Sequence, residues 1–366
     1  MKKLLLATTM LVTAGHYAAA DVSVSGDGRM GVVSSDSVTT FSNRMRIKFS
    51  GSGTTDGGLS FGGSFRAADA TGAKDGTKGS TFISGGFGKI SMGDVDSGDN
   101  VGQLASVGYT GLGSHNSISY SADAGGTNGI PGTFGDAGGA RVLYSYSTGP
   151  VTANVSSAQL TDGGATAYGL GVTYGAGNLT VGAGYGMVDG GTLGVNFYDS
   201  SVALTSTVKT KYVSKTIEDA SVTDATVSAT YVMGATTVKG IYQLKSLDAS
   251  SEAKTKQKAI EVAASVTSMG LSVTHKLGAV SLAAYGISSE LDGDTLGDKT
   301  ATVSRYGIGA SYDLGGGATI AGGWASVDAA KAVGIEASNA ADGDVQLSTV
   351  TSETINKFDL GVSLSF

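Results

Sequence analysis

In the stretch FSNRMRIKFS, Arg44, Arg46 and Lys48 fall on one parity, while Phe41, Met45, Ile47 and Phe49 fall on the other. A second stretch, GLSFGGSFRA, sets Leu59, Phe61 and Phe65 against Ser60, Ser64 and Arg66. Cations gathered on one face of neighbouring strands make a wall that attracts anions and repels cations. Slipping the first stretch by one residue would put its three cations on the apolar face, at about 2–4 kcal/mol each where that face meets mid-bilayer lipid. The acidic counterpart lies in the long segment at about 95–139, which holds Asp96, Asp99, Asp123 and Asp136. Folded inward, this segment would narrow a lumen and set those carboxylates across from Arg44, Arg46, Lys48 and Arg66, giving a transverse field at the narrowest point.

Other candidate chemistry is weaker. GDGRMG at 26–31 has the spacing of a dinucleotide-binding turn, but the strand period runs straight through it and no helix follows. DVDSGDN at 94–100 and LDGDTLGD at 291–298 cluster carboxylates as calcium loops do, yet Gly98 occupies a ligand position of the EF-hand spacing. No metal or other cofactor is expected, with calcium at the loops as a minor alternative. His115 sits in GLGSHNS without a local nucleophile signature. His275 shares parity with Leu271, Val273 and Leu277, which suits an interfacial residue. Catalysis is not expected.

Alternation of the same kind recurs along the chain. Val22, Val24, Gly26, Gly28, Met30 and Val32 oppose Ser23, Ser25, Asp27 and Arg29, and Leu179, Val181, Ala183, Tyr185 and Met187 oppose threonine and glycine. Sixteen such segments are expected, the one at 265–277 being the least regular. Short turns such as TTDGG, GGFG, TGP, GAGN and DLGGG alternate with longer polar loops, several above about twenty residues, and the segments at 188–224 and 328–356 look lengthened. Pro131 falls in the longest loop and Pro150 in a tight turn, so neither interrupts a ladder. The expected fold is all-β: a transmembrane antiparallel β-barrel of sixteen strands, with short periplasmic turns, long external loops and an inward-folded third loop.

Both termini agree with this reading. Lys2 and Lys3 precede an apolar run from Leu4 to about Ala14 and the small residues Ala18, Ala19 and Ala20, which predicts a signal peptide over 1–20 and a barrel domain over 21–366. The run is too short to cross about 30 Å of hydrocarbon. At the other end, KFDLGVSLSF places Phe358, Leu360, Val362, Leu364 and Phe366 on one face, as expected of a last strand that pairs with the first and leaves no edge. Asp359, Gly361, Leu364 and Phe366 form a pattern that resembles the terminal signal by which barrel-assembly machinery recognises its clients. Outward Gly26 and Gly28 would let a neighbouring subunit approach closely.

The chain has no cysteine, so neither disulfides nor thiol chemistry contribute. Its 31 acidic residues exceed 24 basic ones, a net charge of -7 that argues against nucleic acid as a partner. Glycine at 59 residues with only 2 prolines points to many strands and tight turns rather than a disordered linker.

The stretches VSGDGRMGV, FSNRMRIKFSGSGTTDGGLSFGGSFRA, FISGGFGKISMGD, VGYTGL, TVGAGY and YGIGASYDLGGGATIAGG, with the terminal strand, resemble general diffusion porins of the Rhodobacter type. The resemblance implies an outer-membrane homotrimer in lipid bilayer and lipopolysaccharide. Each barrel would be a water-filled channel for passive diffusion of small hydrophilic solutes and ions, constricted by its third external loop. The basic wall carries over onto Arg44, Arg46, Lys48 and Arg66. The segment between Gly93 and Gly139 is poorer in carboxylates than the family pattern, so the acidic side carries over less well. A solute-specific channel, an adhesin and a barrel-borne hydrolase are the alternative readings.

Overall fold

The computed structural model describes residues 21–36, 38–74, 78–113, 141–159, 166–198, 212–251, 260–292, 301–330, 335–337, 345–347 and 352–366. The expected signal peptide and the positions of Asp123, Asp136, His115 and Pro131 lie outside them. The strands are β1 (Asp21–Ser35), β2 (Val38–Thr54), β3 (Ser60–Arg66), β4 (Ser80–Gly85), β5 (Gly88–Gly93) and β6 (Arg141–Thr148). There follow β7 (Val151–Gln159), β8 (Thr166–Ala176), β9 (Leu179–Tyr198), β10 (Tyr212–Met233), β11 (Thr236–Ser251) and β12 (Ile260–Leu277). The chain ends with β13 (Val280–Asp292), β14 (Ala301–Gly315), β15 (Ala318–Ala330), β16 (Ile335–Ala337), β17 (Val345–Leu347) and β18 (Ser352–Ser365).

Sixteen strands close into one antiparallel barrel in which each pairs with its sequence neighbour, and β18 lies between β15 and β1. β16 and β17 stand apart as a two-stranded ribbon. Period-2 alternation decides the two faces. Phe41, Met45, Leu170, Tyr185, Leu271, Ile308 and Leu360 point outward and are exposed, as a wall that meets lipid requires.

One rim carries tight turns. In the turn after β2, Thr55 N–H donates to the Leu59 carbonyl at 2.8 Å, and Gly149, Gly177, Gly234 and Gly278 take positive φ where two-residue hairpins demand it. The other rim carries the long connections, but fewer than expected. The lengthened segment at 188–224 is mostly ladder, because β9 and β10 extend together and pair from Tyr212↔Tyr198 to Tyr231↔Leu179. The segment at 328–356 contains the β16–β17 ribbon. β12, expected to be the least regular strand, pairs without a break along both neighbours.

The seam joins the two ends of the chain. Gly28 pairs with Leu364 and Gly31 with Gly361. Gly26 N–H donates to the Phe366 carbonyl at 2.6 Å, and Phe366 N–H returns a bond to the Gly26 carbonyl at 3.0 Å. The Phe366 ring fills the space where a Cβ on Gly26 would stand. Gly26 therefore accommodates the terminal ring of its own chain, a nearer reason for glycine than the approach of another subunit. Gly28 has only ordinary contacts.

Candidate functional site: the lumen wall and its inward segment

Inward parity on β1 and β2 brings Asp27, Arg29, Arg44, Arg46 and Lys48 together. Register pairs Arg29 with Arg44, Asp27 with Arg46 and Ser25 with Lys48, and on the next ladder Lys48 with Arg66. All four basic residues singled out from the sequence thus share one column. Arg29 joins it, although its isolated place in GDGRMG gave little reason to single it out. Asp27 is the internal counter-ion: its Oδ1 accepts from Arg44 Nη2 at 2.9 Å and from Arg46 Nη2 at 2.8 Å. Arg66 stands 3.9 Å from Asp69 and is half exposed. These side chains keep solvent access, so the pairs screen one another only partly and the column stays net positive. Further along the arc, Lys89 Nζ lies 4.4 Å from the centre of the inward Phe82 ring.

The described part of the long connection after β5, residues 94–113, follows the inner surface of the wall. It enters at Arg141, whose guanidinium donates to the Val95 carbonyl. Gly98 N–H donates to Ser156 Oγ on β7 at 2.7 Å. Ser228 Oγ on β10 donates to the Val101 carbonyl at 2.7 Å, and Ala105 N–H donates to Ser272 Oγ on β12 at 3.0 Å. At the far end, Asp359 Oδ2 on β18 accepts from Thr110 N–H at 2.7 Å and from Thr110 Oγ1 at 2.6 Å.

Between these hydrogen bonds the segment has its own apolar contacts. Leu104, Val107 and Leu112 pack with Ile241, Tyr285, Ile287 and Ala325 of the wall. Each full burial of a leucine or valine contributes about 1.5–3 kcal/mol, so the lumen holds a small hydrophobic core besides its water-facing surface.

Small wall residues make room for the backbone. A Cβ at Gly169 would come within 2.5 Å of Asp99 Oδ1, one at Gly323 within 2.6 Å of Gly108 N, and one at Gly361 within 2.8 Å of the Tyr109 ring. Real Cβ atoms do not approach neighbours so closely. The register lines these positions up: Ser156 pairs with Gly169, Gly171 with Gly184, and Gly309 with Gly323, which pairs with Asp359.

The acidic expectations need correction. Asp99 does not face the basic column. It is fully buried between the segment and the wall of β8 and β9, with Ser97 Oγ donating to it. The physical reason is local: the glycines of β8 and β9 leave a recess that takes the side chain out of the lumen. Asp96 is exposed at the start of the segment. Among the described residues no group of three or more His, Cys, Asp or Glu side chains converges as a metal site would. The terminal-signal residues divide by face: Leu364 and Phe366 lie on the outer surface, whereas Asp359 and Gly361 contact the inward segment. His275 faces outward and shares a 2.8 Å hydrogen bond with Thr236 on β11.

Comparison with known proteins accords with this architecture. The family model of Gram-negative porins matches residues 7–279. A porin of Rhodobacter capsulatus is 36% identical over 325 residues, covering 84% of this chain and 95% of the relative. A solved porin structure is 31% identical, with a TM-score of 0.65, and covers 94% of this chain and 100% of its own. The outer-membrane protein OmpT of Vibrio cholerae, solved in a trimer form, is 16% identical with a TM-score of 0.66, covering 95% and 100%, which shows likeness of fold. The family and the fold are those of channel proteins rather than enzymes. This chain belongs to the Gram-negative porins, outer-membrane β-barrels that form channels for passive diffusion.

Proposed function

We propose that small hydrophilic solutes and ions cross through the part of the lumen that segment 97–112 leaves uncovered, along the basic column of β1, β2 and β3. The observation that carries this reading is the division of the inner wall: Arg44, Arg46, Lys48 and Arg66 keep solvent access, whereas Ser156, Ser272, Tyr285, Gly323 and Asp359 are buried where the segment lies on them. An ion passing the column meets five fixed positive charges against the carboxylates Asp27 and Asp69, so anions are favoured along that side. Asp99 stands outside the water-filled surface, buried against β8 and β9.

Around this centre we place a signal peptide cleaved after Ala20, a barrel over residues 21–366 with its long connections outside the cell, insertion by barrel-assembly machinery, and contact with lipopolysaccharide. No cofactor takes part, and calcium at the loops is set aside. A homotrimer is the proposed assembly, by analogy with the trimer form of its Vibrio cholerae structural relative.

The test is planar-bilayer recording of a variant with Arg44, Arg46 and Arg66 all changed to Gln. Charges about 8 Å apart at an effective dielectric near 40 interact by about 1 kcal/mol, so several of them change ion partitioning several-fold. The reversal potential should move toward cation preference in about 0.1 M salt and scarcely move in about 1 M, where the screening length is about 3 Å. An unchanged reversal potential in dilute salt would remove the basic column from the selectivity mechanism.

A further inference from the structure

The end of the inward segment crosses the place where the barrel closes. Gly108 lies against Gly323 of β15, Thr110 bonds to Asp359 of β18, and the Tyr109 ring lies over both Gly361 of β18 and Gly31 of β1, which are paired across the seam. The Tyr109 hydroxyl reaches the Ser42 carbonyl on β2. Three consecutive residues thus span β15, β18, β1 and β2. Asp359 is fully buried there, and both of its bonds with Thr110 end on one carboxylate oxygen.

We infer that Asp359 is the positioning residue of the constriction, a latch that fixes the far end of segment 97–112 to the wall, and that the latched residues 108–110 strap the closing seam from inside. The inference rests on the channel reading above. A carboxylate buried in low dielectric is held in place only where donors meet it, and charge-assisted bonds of 2.6–2.7 Å are of the strong kind. The wall is shaped for the same purpose. Gly361 and Gly31 carry no Cβ where the Tyr109 ring sits, and Gly108, at φ +78°, has none where Asp359 sits. A side chain at Gly108 would collide with Asp359, and one at Gly31 or Gly361 would meet both the Tyr109 ring and the backbone paired across the seam. Asp359 and Gly361 therefore do more than alternate within a terminal signal: they give the last strand an inner face that receives the loop.

The latch predicts a division of effects. Asp359→Ala removes both bonds and should release the end of the segment, giving higher single-channel conductance, more open-channel noise and loss of size discrimination for sugars in liposome swelling. Asp359→Asn retains an oxygen that accepts from Thr110 and should stay close to the parent. Thr110→Val removes one donor and should fall between them, and it reads the same latch if Asp359→Ala does not assemble. The chain contains no cysteine, so Thr110→Cys with Asp359→Cys gives a reversible version. Oxidised, the pair should restore parental conductance; reduced, it should conduct like Asp359→Ala. Absence of conductance in the parent protein would refute the channel reading itself. A conducting parent whose folded Asp359→Ala and reduced cysteine-pair variants keep its conductance, noise and size limit would overturn the latch alone.

Discussion

Along β2 the inward side chains are Arg44, Arg46 and Lys48, whereas along β14 and β15 the corresponding positions include Gly307, Gly309 and Gly323. The two arcs belong to one barrel, share the same alternation and present similar apolar faces to lipid. They differ in what they face across the lumen. The first faces water and keeps long, charged side chains that shape an electric field. The second faces a polypeptide and has glycine at the points where a backbone lies against it, with Leu104 and Val107 filling the gaps. The inner wall is thus open and basic along the passage, and trimmed to glycine where the constriction lies on it.

The largest effect should come from filling the covered arc. Gly323→Leu places a side chain where Gly108 already lies, and overpacking of this kind costs about 1–3 kcal/mol. The expected outcome is an unseated segment, seen as faster proteolysis within 97–112 and as a wider channel. Ser25→Leu, on the open inward face of β1, should leave both unchanged. Equal sensitivity at the two sites would erase the distinction between the arcs.

Next in size is the seam on the outer face. Phe366→Asp removes the ring that lies over Gly26 and puts a charge on the lipid side, so export should persist while folded barrel in the outer membrane falls. Heat-modifiable, protease-resistant protein at parental levels would refute this. Gly26→Leu should act in the same direction by displacing the ring.

The smallest predicted effect sharpens the electrostatics of the open arc. Asp27 pairs with both Arg44 and Arg46, so Asp27→Asn should raise anion preference, opposite in sign to the triple arginine variant and smaller because one charge is changed. The shift should fade in about 1 M salt. A shift toward cations would mean that the arginines lose their geometry when the carboxylate is gone, and reversal potentials of the Asp27→Asn and Asp27→Ala variants would reveal it.

The open arc was legible in the sequence because its information is local. A period of two assigns Arg44, Arg46 and Lys48 to one face, and hydrophobic partners such as Phe41 and Met45 fix which face that is. The closing strand was legible for the same reason. The covered arc was not, although its glycines stand in plain view in GLG at 169–171, GAG at 182–184 and GIG at 307–309. Only the register between strands aligns Gly171 with Gly184 and Gly309 with Gly323, and register is a non-local property. Asp99 and Asp359 show the cost of that gap. Spacing alone set Asp99 in the lumen and gave no sign of what Asp359 holds, while the packed chain buries the first and gives the second two donors from Thr110. A useful signal was available: glycines at inward parity on consecutive strands, where a purely water-filled lumen would favour polar side chains.

Single cysteines in this cysteine-free chain separate passage along the open arc from passage along the covered one. A charged methanethiosulfonate reagent is added to open channels in a bilayer, with the thiol placed either at Lys48, which is exposed, or at Ser272, which is 2% exposed beneath the segment. Conductance should fall stepwise for Lys48→Cys and stay unchanged for Ser272→Cys. Rapid block through Ser272→Cys, or none through Lys48→Cys, would contradict this.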